Sequence, residues 1–415
     1  MPAEPAFVIV GASLAGAKAA ETLRDEGFGG QIVLIGEEAD RPYERPALSK
    51  GYLLGRDEKD TIFVHEEGWY AEHDVDLRLG VSATAIDPKA RRVELAGGAV
   101  VGYGKLLITT GAAPRRLDVP GHDLDNVLYV RTVEDSERLS AAFRAGGNVV
   151  IAGAGWIGLE AAAAAREYGC EVTVVEPASG ALQAQLGPEL GGMFADLHRA
   201  HGVTFRFTEG VTEFRGTGGR VTTVITSSGA ELPADIAVIG IGALPNSGLA
   251  QAAGLEVGNG ILADAALRTS SQDIYAAGDV VNSFNPLLGR RVRVEHWGNA
   301  LIGGPAAAKA MLGQDVTYDP VPYFYSDQYD LGMEAAGLPG PGGYDQVIYR
   351  GDTGGREFIA FWLSAEVIVA GMNVNVWDVN DDIQALIRAG AAGQHVDQAR
   401  LADVDVPLAS LAGRG

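Results

Sequence analysis

A glycine pattern that occurs twice constrains the fold of this chain more than any other feature. The later copy, Gly153 to Gly158, reads Gly-Ala-Gly-Trp-Ile-Gly, and the earlier copy, Gly11 to Gly16, reads Gly-Ala-Ser-Leu-Ala-Gly. Each copy stands between a short apolar run, typical of a buried strand, and an alanine-rich segment, typical of a helix. The copies begin 142 residues apart, which is too far for a solenoid repeat. The pattern therefore predicts an α/β fold with two Rossmann-like dinucleotide-binding domains.

The runs around each copy predict a strand, a helix and a second strand. The predicted ranges are 6–10, 12–24 and 31–35 for the first copy, and 148–152, 156–168 and 171–175 for the second. Further strands are predicted at 106–110, 127–130, 236–241 and 274–279. From about residue 323 the pattern changes to strands at 347–350, 358–363 and 367–372 and a helix near 381–389, while the tail after 394 shows no strong pattern. We expect a first domain over 1–115 and 246–322, a second over 116–245, and a C-terminal α+β domain over 323–415.

The glycines have separate tasks in such a turn. The first makes the tight turn, the second lets the backbone approach a pyrophosphate, and the third lets the helix pack on the strand, so that the anion lies at the helix N-terminus. The residues predicted to contact the two dinucleotides are Gly11, Ser13, Leu14, Ala15 and Gly16 in the first copy and Gly153, Gly155, Trp156, Ile157 and Gly158 in the second. Ser13 replaces the second glycine, which weakens the first match, although its hydroxyl can itself donate a hydrogen bond.

An acidic residue ends the second strand of each unit. Glu37 lies 21 residues beyond Gly16, and Glu176 lies 18 residues beyond Gly158, close to the spacing of ~20 expected for a carboxylate that binds a ribose 2′-hydroxyl. Residues 177–179 (Pro-Ala-Ser) offer no cation for a 2′-phosphate. The second copy is therefore predicted to bind NADH in preference to NADPH.

Composition excludes several classes of function. The net charge of −22 argues against a nucleic-acid partner, and we expect a cytoplasmic protein because no run of apolar residues is long enough to span a membrane. The single cysteine, Cys170, excludes an intramolecular disulfide, a redox dithiol and a four-cysteine metal site. The seven histidines show no metal-ligand spacing such as H-E-x-x-H, and His198 with His201 is interpreted as part of a surface helix, so no metal is predicted.

Further segments carry a resemblance to a known family. Thr109-Thr-Gly111 after a strand and a late Ala277-Gly-Asp279, together with the two glycine turns, resemble the flavoprotein superfamily that has two dinucleotide-binding domains, FAD in the first and NAD(P)H in the second. The segments Arg41-Pro-Tyr-Glu-Arg-Pro-Ala-Leu-Ser-Lys50, Glu295-His-Trp-Gly-Asn-Ala300 and Phe324-Tyr-Ser-Asp-Gln328 resemble the bacterial NADH-dependent ferredoxin reductases, which include the putidaredoxin and rubredoxin reductases. The resemblance extends to about residue 390.

The resemblance implies roles for individual residues. Lys50 would lie beside the flavin N5 and pair with Glu160, which lies in the predicted helix 156–168. A buried lysine needs such a partner because an isolated buried charge is costly, and a positive charge near N5 would favour the reduced flavin. Arg45 and Arg115 would contact the FAD phosphate or adenine, and Asp279 would accept hydrogen bonds from the ribityl hydroxyls. Trp297 would lie beside the pyrimidine edge of the isoalloxazine ring. The other residues predicted to bind the cofactors are Thr110, Gly111, Gly242, Glu295 and His296.

These implications predict an FAD enzyme that passes electrons from NADH to a [2Fe–2S] ferredoxin. Tyr325 stands where the family often has tryptophan, at the surface where the iron–sulfur partner docks, and the densest basic cluster, Arg290, Arg291 and Arg293, is predicted to attract that partner. A disulfide reductase would need a dithiol, which one cysteine cannot form, and an NADH oxidase or peroxidase usually has a reactive cysteine in the stretch that corresponds to residues 37–51, where this sequence has none. Electron transfer is therefore favoured, and an enzyme of the NADH oxidase or peroxidase type stays an alternative. A flavin-binding redox sensor akin to apoptosis-inducing factor remains an alternative, and either a monomer or a homodimer is compatible with the sequence.

Overall fold

The structure, a computed structural model, describes residues 5–340 and 342–412, and their contacts form two compact units. The first unit contains the described residues up to Arg45, Lys59–Ala113 and Leu244–Pro322. The second unit contains Pro46–Glu58, Pro114–Ala243 and the described residues from Tyr323 onward. The predicted second and C-terminal domains thus fall in one unit, and the domain bounds within it stay a prediction.

The regular elements follow in chain order. The helices are α1 Leu14–Asp25, α2 Trp69–Glu72, α3 Val133–Ala145, α4 Trp156–Glu167, α5 Gln183–Ala200, α6 Gly248–Ala252, α7 Trp297–Met311, α8 Asn380–Ala391 and α9 Gln398–Ala402. The strands are β1 Phe7–Val10, β2 Ile32–Ile35, β3 Val75–Arg78, β4 Ala83–Asp87, β5 Arg92–Leu95, β6 Val100–Gly102, β7 Lys105–Ile108, β8 Ala112–Pro114, β9 Val127–Leu128, β10 Asn148–Ala152, β11 Glu171–Glu176, β12 Thr204–Phe207, β13 Val211–Thr217, β14 Arg220–Thr226, β15 Glu231–Pro233, β16 Ile236–Ile239, β17 Ala243–Pro245, β18 Val257–Gly258, β19 Gly260–Ala263, β20 Ile274–Ala276, β21 Val281–Asn285, β22 Arg290–Val292, β23 Tyr323–Gln328, β24 Leu331–Gly337, β25 Gln346–Asp352, β26 Glu357–Ser364 and β27 Val367–Val374. Single 3-10 turns span Arg45–Ser49, Lys59–Ile62, Gly278–Val280 and Leu408–Ser410.

The first unit is built on a parallel sheet with the strand order β20-β7-β1-β2-β3. The strands β1, β2 and β7 are apolar apart from Lys105 at the start of β7, because both faces of the sheet are covered there, as in other parallel sheets. The strand order reverses beside β1, so the carboxyl ends of β1, β2 and β7 meet at the switch point where doubly wound sheets bind ligands. Gly11, Glu37 and Thr109 follow these three strands directly or within two residues.

Small residues bring α1 and α7 of the first unit into close contact. A Cβ built on Gly304 would lie 2.2 Å from the carbonyl oxygen of Ala15, and a Cβ on Gly278 would lie 3.2 Å from the Ala15 side chain. Only glycine therefore allows α7 and the turn after β20 to approach the start of α1 this closely. This packing places Asp279, the residue after Gly278, next to the first glycine turn.

The second unit contains a parallel sheet of the same kind and an antiparallel sheet. The parallel strands have the order β12-β11-β10-β16-β9, and the antiparallel strands have the order β23-β24-β27-β26-β25 with α8 packed on them. Phe194 of α5 and Trp362 of β26 belong to one continuous hydrophobic core, which explains why both sheets form one compact unit. The predicted fold class, two Rossmann-like domains and a C-terminal α+β domain, is confirmed.

Most predicted elements agree with the observed ones to within two residues, and the exceptions have local causes. The strand predicted over 274–279 ends at Ala276, because Gly278 has a φ of +75° and starts a 3-10 turn. The tail after residue 394 contains α9, which the sequence pattern does not predict. Arg350 holds it in place by donating hydrogen bonds to carbonyl oxygens of Leu401 and Val406, among others. Among the described residues, no helix is both long and apolar enough to cross a bilayer.

Candidate functional site: two nucleotide turns and a buried lysine–glutamate pair

The first glycine turn depends on two positions where a side chain would clash. Gly11 has a φ of +119°, and a Cβ there would lie 2.2 Å from the carbonyl oxygen of Thr109. A Cβ on Gly16 would lie 2.2 Å from the carbonyl oxygen of Gly11, so the third glycine lets α1 pack against the turn. The first and third glycines are therefore required by sterics alone, which matches the tasks that the pattern assigns to them.

The second position of the turn has no such requirement. Ser13 has φ −126° and ψ −167°, an extended conformation that any residue adopts, and its hydroxyl does not cap α1. The first turn of α1 carries no acidic side chain, and Leu14 and Ala15 are buried. The N–H groups at the start of α1 therefore point out of the helix with no capping side chain, as the binding of a pyrophosphate requires. Ser13 does not disturb the turn.

Acidic and basic side chains of the first unit interact with one another beyond β2. Glu37 is exposed just beyond β2, while Arg45 Nη2 lies 2.6 Å from Glu38 Oε1 and Arg45 Nη1 lies 2.9 Å from Tyr43 Oη. Burial opposes the charge of Arg45, but Tyr43, Glu38 and Asp279 outweigh it and raise the pKa of Arg45. Arg45 is thus a permanent positive charge close to Asp279. This arrangement fits the phosphate and ribityl groups of FAD.

The remaining predicted FAD residues occupy two loops and the start of α7. Thr110 Oγ1 donates a hydrogen bond of 2.9 Å to the carbonyl oxygen of Asn246, and Gly111 accepts one of 2.9 Å from the Asn246 N–H, so these residues tie two loops together. His296 and Trp297 form the start of α7, and Glu295 precedes them with its side chain exposed. Burial lowers the pKa of His296 to about 4, against the opposing effect of Glu295.

Arg115 and Gly242 belong to the second unit. Arg115 is exposed, and its backbone N–H donates a hydrogen bond of 2.9 Å to the carbonyl oxygen of Gly242. Gly242 has a φ of +94°, and a Cβ there would meet no atom within 4 Å. The structure therefore brings these two predicted residues together, with open space at Gly242.

The second glycine turn repeats the geometry of the first. Gly153 has a φ of +103°, and a Cβ on Gly158 would lie 2.1 Å from the carbonyl oxygen of Gly153. Gly155 begins α4 in an extended conformation, and a Cβ there would meet no atom within 4 Å. Trp156 packs against Phe194 of α5, while Ile157 is exposed. The turn thus leaves room at Gly155 for a ligand to approach the backbone.

Glu176 is anchored to the second turn. Its Oε2 accepts a hydrogen bond of 2.8 Å from the N–H of Ala154, and its Oε1 accepts one of 2.8 Å from the N–H of Ala178. Each carboxylate oxygen has a second lone pair, so both can still accept a hydroxyl. The carboxylate is therefore held beside the glycine turn in an orientation that can bind the ribose of NADH.

Two of the three glycines in the second turn, Gly155 and Gly158, make a matched pair for mutagenesis. We expect Gly158→Ala to lower the free energy of unfolding by about 1–3 kcal/mol, because its methyl group would overlap the Gly153 carbonyl. We expect Gly155→Ser, which copies the first turn, to leave stability within about 0.5 kcal/mol, because the site is open. Urea unfolding followed by circular dichroism measures both, and equal destabilisation would contradict the steric account.

A buried ion pair lies inside the second unit. Lys50 Nζ is 2.6 Å from Glu160 Oε1, and the Glu160 side chain is only 4% exposed. Ser326 Oγ donates to the same oxygen over 2.7 Å, and Ser49 Oγ donates to Oε2. Two serines and a lysine therefore satisfy a carboxylate that would otherwise be costly to bury. The structure brings together the two residues predicted to control the flavin, and the role of each stays a prediction.

Two further residues are near this pair. Lys50 Nζ lies 5.4 Å from the centre of the half-buried Tyr325 ring, which is within range of a cation–π contact. Partial burial raises the pKa of Asp327; Lys50 opposes this shift, and Glu160 and Glu334 add to it. Tyr325 therefore belongs to the electrostatic surroundings of Lys50, and its predicted part in docking is untested.

The predicted basic cluster is only partly exposed. Arg290 and Arg291 are exposed residues of β22, although Arg291 also donates a hydrogen bond of 3.3 Å to the carbonyl oxygen of Asn282. The Arg293 side chain is only 10% exposed and forms an ion pair with Glu295. Its charge is compensated within the fold, so Arg290 and Arg291 are the members that present exposed side chains.

The interpretation of His198 as a surface residue is wrong. His198 is completely buried, its Nε2 is 2.7 Å from Gln328 Oε1, and its Nδ1 is 3.2 Å from Tyr329 Oη. Gln328 and Tyr329, from the C-terminal part of the second unit, cover the face of α5 that carries His198, and the sequence pattern of α5 alone does not indicate this cover. His201 is half-buried and stacks on the Tyr329 ring at 3.7 Å. Across the ranges that the structure describes, no three His, Cys, Asp or Glu side chains form a possible metal site.

Cys170, the single cysteine of the chain, is part of the core. It is fully buried, and its thiol is 3.4 Å from the carbonyl oxygen of Phe143. Burial raises the pKa of Cys170, although Arg166 partly opposes the shift. A buried thiol with a raised pKa is a poor nucleophile, so this cysteine has a packing role.

These geometries define a class of protein that binds two dinucleotides on two similar parallel sheets, and comparison with known proteins agrees. Residues 5–304 match the family model described as pyridine nucleotide-disulphide oxidoreductase, and residues 323–412 match the model described as reductase C-terminal. The chain belongs to the pyridine nucleotide-disulphide oxidoreductase family, and the predicted resemblance is confirmed. Membership makes the protein an oxidoreductase with FAD and NAD(H) as its cofactors.

Similar proteins match over nearly the whole chain. The ferredoxin–NAD(+) reductase component of the anthranilate 1,2-dioxygenase system of Burkholderia cepacia is 43% identical, over 98% of this chain and 99% of that protein. Putidaredoxin reductase of Pseudomonas putida is 35% identical, over 90% of each chain. The crystal structure of the ferredoxin reductase for the CYP199A2 system from Rhodopseudomonas palustris has a TM-score of 0.94 and 35% identity, over 99% of this chain and 100% of that one.

Four residues of the site are not among those predicted from the sequence. Glu38, a partner of Arg45, lies outside the segments that carry the resemblance. Tyr43 and Ser49 lie within the segment Arg41–Lys50, but no task is predicted for either residue. Ser326 lies in the segment Phe324–Gln328, which also carries the resemblance, although no contact with Glu160 is predicted.

Proposed function

We propose that this protein is an FAD-containing, NADH-dependent ferredoxin reductase. It takes hydride from NADH and delivers the electrons to a [2Fe–2S] ferredoxin, or a rubredoxin, that serves a cytochrome P450 or a Rieske-type oxygenase. The names of its relatives support this proposal, among them the reductase component that is 43% identical to this chain. The observation that carries it is the buried Lys50–Glu160 pair, because a fixed positive charge favours the negative charge that a flavin gains on reduction.

The cysteine content supports electron transfer over disulfide chemistry. A disulfide reductase needs two neighbouring thiols, and an NADH peroxidase of the usual type needs a reactive one. The chain has one cysteine, and its thiol is enclosed in the core. The two electrons of each NADH must therefore leave without a protein thiol, and two ferredoxin molecules, each accepting one electron, would remove them.

The residues of the first unit fit FAD as a resident cofactor. We assign the pyrophosphate to the N–H groups at the start of α1, the adenosine ribose to Glu37, a phosphate to Arg45 and the ribityl hydroxyls to Asp279. Bound FAD would supply the step from hydride to single electrons, which no amino-acid side chain provides. The chain itself supplies the anion site, and Lys50 supplies the proposed charge at N5.

The residues of the second unit fit NADH as the electron donor. Gly155 leaves the space in which a pyrophosphate can approach the start of α4, and Glu176 is held where a ribose hydroxyl can donate to it. Because residues 177–179 offer no cation, a 2′-phosphate would face the carboxylate of Glu176 and be repelled. We therefore propose that NADH is used in preference to NADPH, in the cytoplasm, by a monomer or a homodimer.

An anaerobic titration of the FAD-loaded protein tests the proposed function. NADH should bleach the flavin absorbance at one equivalent, NADPH should do so only at much higher concentration, and added [2Fe–2S] ferredoxin should restore it with many turnovers. A long-lived NADH–flavin complex with negligible turnover would favour a redox sensor instead. Rapid turnover with oxygen alone would favour an NADH oxidase.

The docking surface leads to a separate prediction. Reversing the charge of both exposed arginines (Arg290→Glu with Arg291→Glu) should slow ferredoxin reduction by about tenfold at low salt, because an acidic ferredoxin is attracted by exposed positive charge. The rate with ferricyanide should not change. Arg92→Glu, an exposed reversal on β5 of the same unit, is the control and should have little effect. Equal losses with both acceptors would contradict the proposed docking surface.

A further inference from the structure

Glu160 is the end of a hydrogen-bonded chain that continues through the second unit to Tyr329. Ser326 Oγ is 2.7 Å from Glu160 Oε1, and Gln328 Nε2 is 3.1 Å from Ser326 Oγ. The chain then continues from Gln328 Oε1 to His198 Nε2 over 2.7 Å and from His198 Nδ1 to Tyr329 Oη over 3.2 Å. Ser326, Gln328 and His198 are each at most 1% exposed. Buried polar groups of this kind must satisfy one another.

The direction of every hydrogen bond in this chain follows from the first one. The carboxylate of Glu160 only accepts, so Ser326 must donate to it, and the serine oxygen must then accept from the amide N–H of Gln328. This orientation turns Gln328 Oε1 towards His198. Because an amide oxygen also only accepts, His198 must carry its proton on Nε2.

The far end of the chain agrees with this direction. With its proton on Nε2, the neutral ring of His198 has a lone pair on Nδ1, which can accept from the Tyr329 hydroxyl. Burial lowers the pKa of His198 to about 4; the hydrogen bond that His198 donates to Gln328 opposes this shift, and His201 adds to it. The ring is therefore neutral at pH 7. Every donor in the chain then points towards Glu160, an arrangement in which each hydrogen bond polarises and strengthens the next.

We propose that Ser326, Gln328 and His198 are positioning residues that hold the carboxylate of Glu160 against Lys50. Ser326 and Lys50 donate to the same oxygen, Oε1, so the serine fixes the oxygen that the ammonium group uses. Without Ser326, Oε1 is held by Lys50 alone, and Ser49, which donates to Oε2, is the remaining serine that restrains the carboxylate. The inference rests on the proposed function, in which Lys50 must present its charge at a fixed position.

The direction of the hydrogen-bonded chain can be tested without reference to catalysis. The experiment is nuclear magnetic resonance of the FAD-loaded protein labelled with ¹⁵N-histidine. The resonances of His198, assigned by their loss in His198→Gln, should show a neutral ring protonated on Nε2 throughout pH 6 to 8. Gln328→Met should abolish this fixed tautomer. A proton on Nδ1, or a charged ring at pH 7, would overturn the proposal.

Rapid-mixing kinetics tests what the chain does. Ser326→Ala should slow the limiting rate of flavin reduction by NADH by about tenfold, the size expected for one lost hydrogen bond to a charged group. Gln328→Met, which leaves the Ser326 hydroxyl without its donor, should slow that rate by more than about twofold, and in both variants the NADH concentration at half-saturation should stay unchanged. Ser326→Thr keeps the hydroxyl donor and should recover most of the rate. Ser140→Ala is the control, because it removes a buried serine that hydrogen-bonds with Tyr168 and is not part of the hydrogen-bonded chain. Its rate of flavin reduction should equal that of the parent protein.

The outcomes separate this inference from the proposed function. If both Ser326→Ala and Gln328→Met are reduced at rates within twofold of the parent, the positioning role is wrong. If the NADH concentration at half-saturation rises by the same factor as the limiting rate falls, the substitutions disturb the structure in general, and the positioning role is wrong as well. If NADH does not reduce the parent protein, the proposed function fails, and the histidine resonances still decide whether the chain has the stated direction.

Discussion

Glu160→Leu is expected to lower the free energy of unfolding by about 3–5 kcal/mol, because it leaves the Lys50 ammonium group buried without its carboxylate. Ser49 and Ser326 would lose their acceptor at the same time. The same change should slow flavin reduction by NADH by about 100-fold, because Lys50 is no longer held in place. Urea unfolding and anaerobic rapid mixing measure the two effects.

A second variant separates stability from function. In Lys50→Met with Glu160→Leu both charges are absent, and apolar residues of similar size replace a buried ion pair with little net cost. Most of the lost stability should therefore return, whereas the rate should stay low because the charge at the proposed N5 position is missing. If the double variant regained the parental rate, the proposed role of Lys50 would be wrong.

A pair on the same helix gives the control. Glu167, at the end of α4, forms an ion pair with Arg56, whose side chain is 64% exposed. Exposed ion pairs contribute about 0–1 kcal/mol, so Glu167→Leu should change stability by no more than that. If Glu167→Leu and Glu160→Leu lowered the free energy of unfolding equally, burial of the Lys50–Glu160 pair would not explain the destabilisation.

Acidification is expected to destabilise the protein through His198. The pKa of this residue is about 4 in the folded state, mainly because it is buried, whereas an unfolded histidine has a pKa of about 6.5. The unfolded chain therefore binds a proton first, so stability falls as the pH drops through the interval between these values and is unaffected above it. The difference corresponds to about 3 kcal/mol when the pH reaches 4.

The contribution of His198 is measured as a difference in slope. Urea midpoints between pH 7 and pH 5 should fall less steeply in His198→Gln than in the parent protein, because glutamine does not titrate. His395→Gln, which removes an exposed histidine, should keep the parental slope. Parallel slopes for the parent and His198→Gln would show that His198 is not the group that titrates.

Local patterns explain why much of the fold could be predicted from the sequence. The runs around Gly11 and Gly153 specify a strand, a turn and a helix through interactions between residues close in the chain, and the observed β1, α1, β10 and α4 agree with them. The substitution at Ser13 illustrates the limit of a pattern. It departs from the expected glycine, yet its backbone is extended, so the conformation does not demand a glycine at that position.

The partners of buried groups could not be predicted in the same way. Residues 50 and 160 are separated by 110 positions, and only the family resemblance linked them; the contacts of Glu160 with Ser49 and Ser326 follow from the packing of three separate segments of the second unit. The position of Arg293 in a basic cluster suggested an exposed charge, but Glu295 neutralises it within the fold. A hydrogen bond depends on which segments meet, and that information is not local.

The sequence by itself determined that two strand–turn–helix units bind dinucleotides, because the steric demands at Gly11, Gly16, Gly153 and Gly158 arise within a few residues of chain. Only the tertiary structure decided which polar groups are buried and what satisfies them. His198 shows the difference most clearly, since the C-terminal sheet turns a residue interpreted as surface-exposed into part of a buried hydrogen-bonded chain. Burial raises the cost of every unsatisfied polar group, and distant segments must then supply its partners.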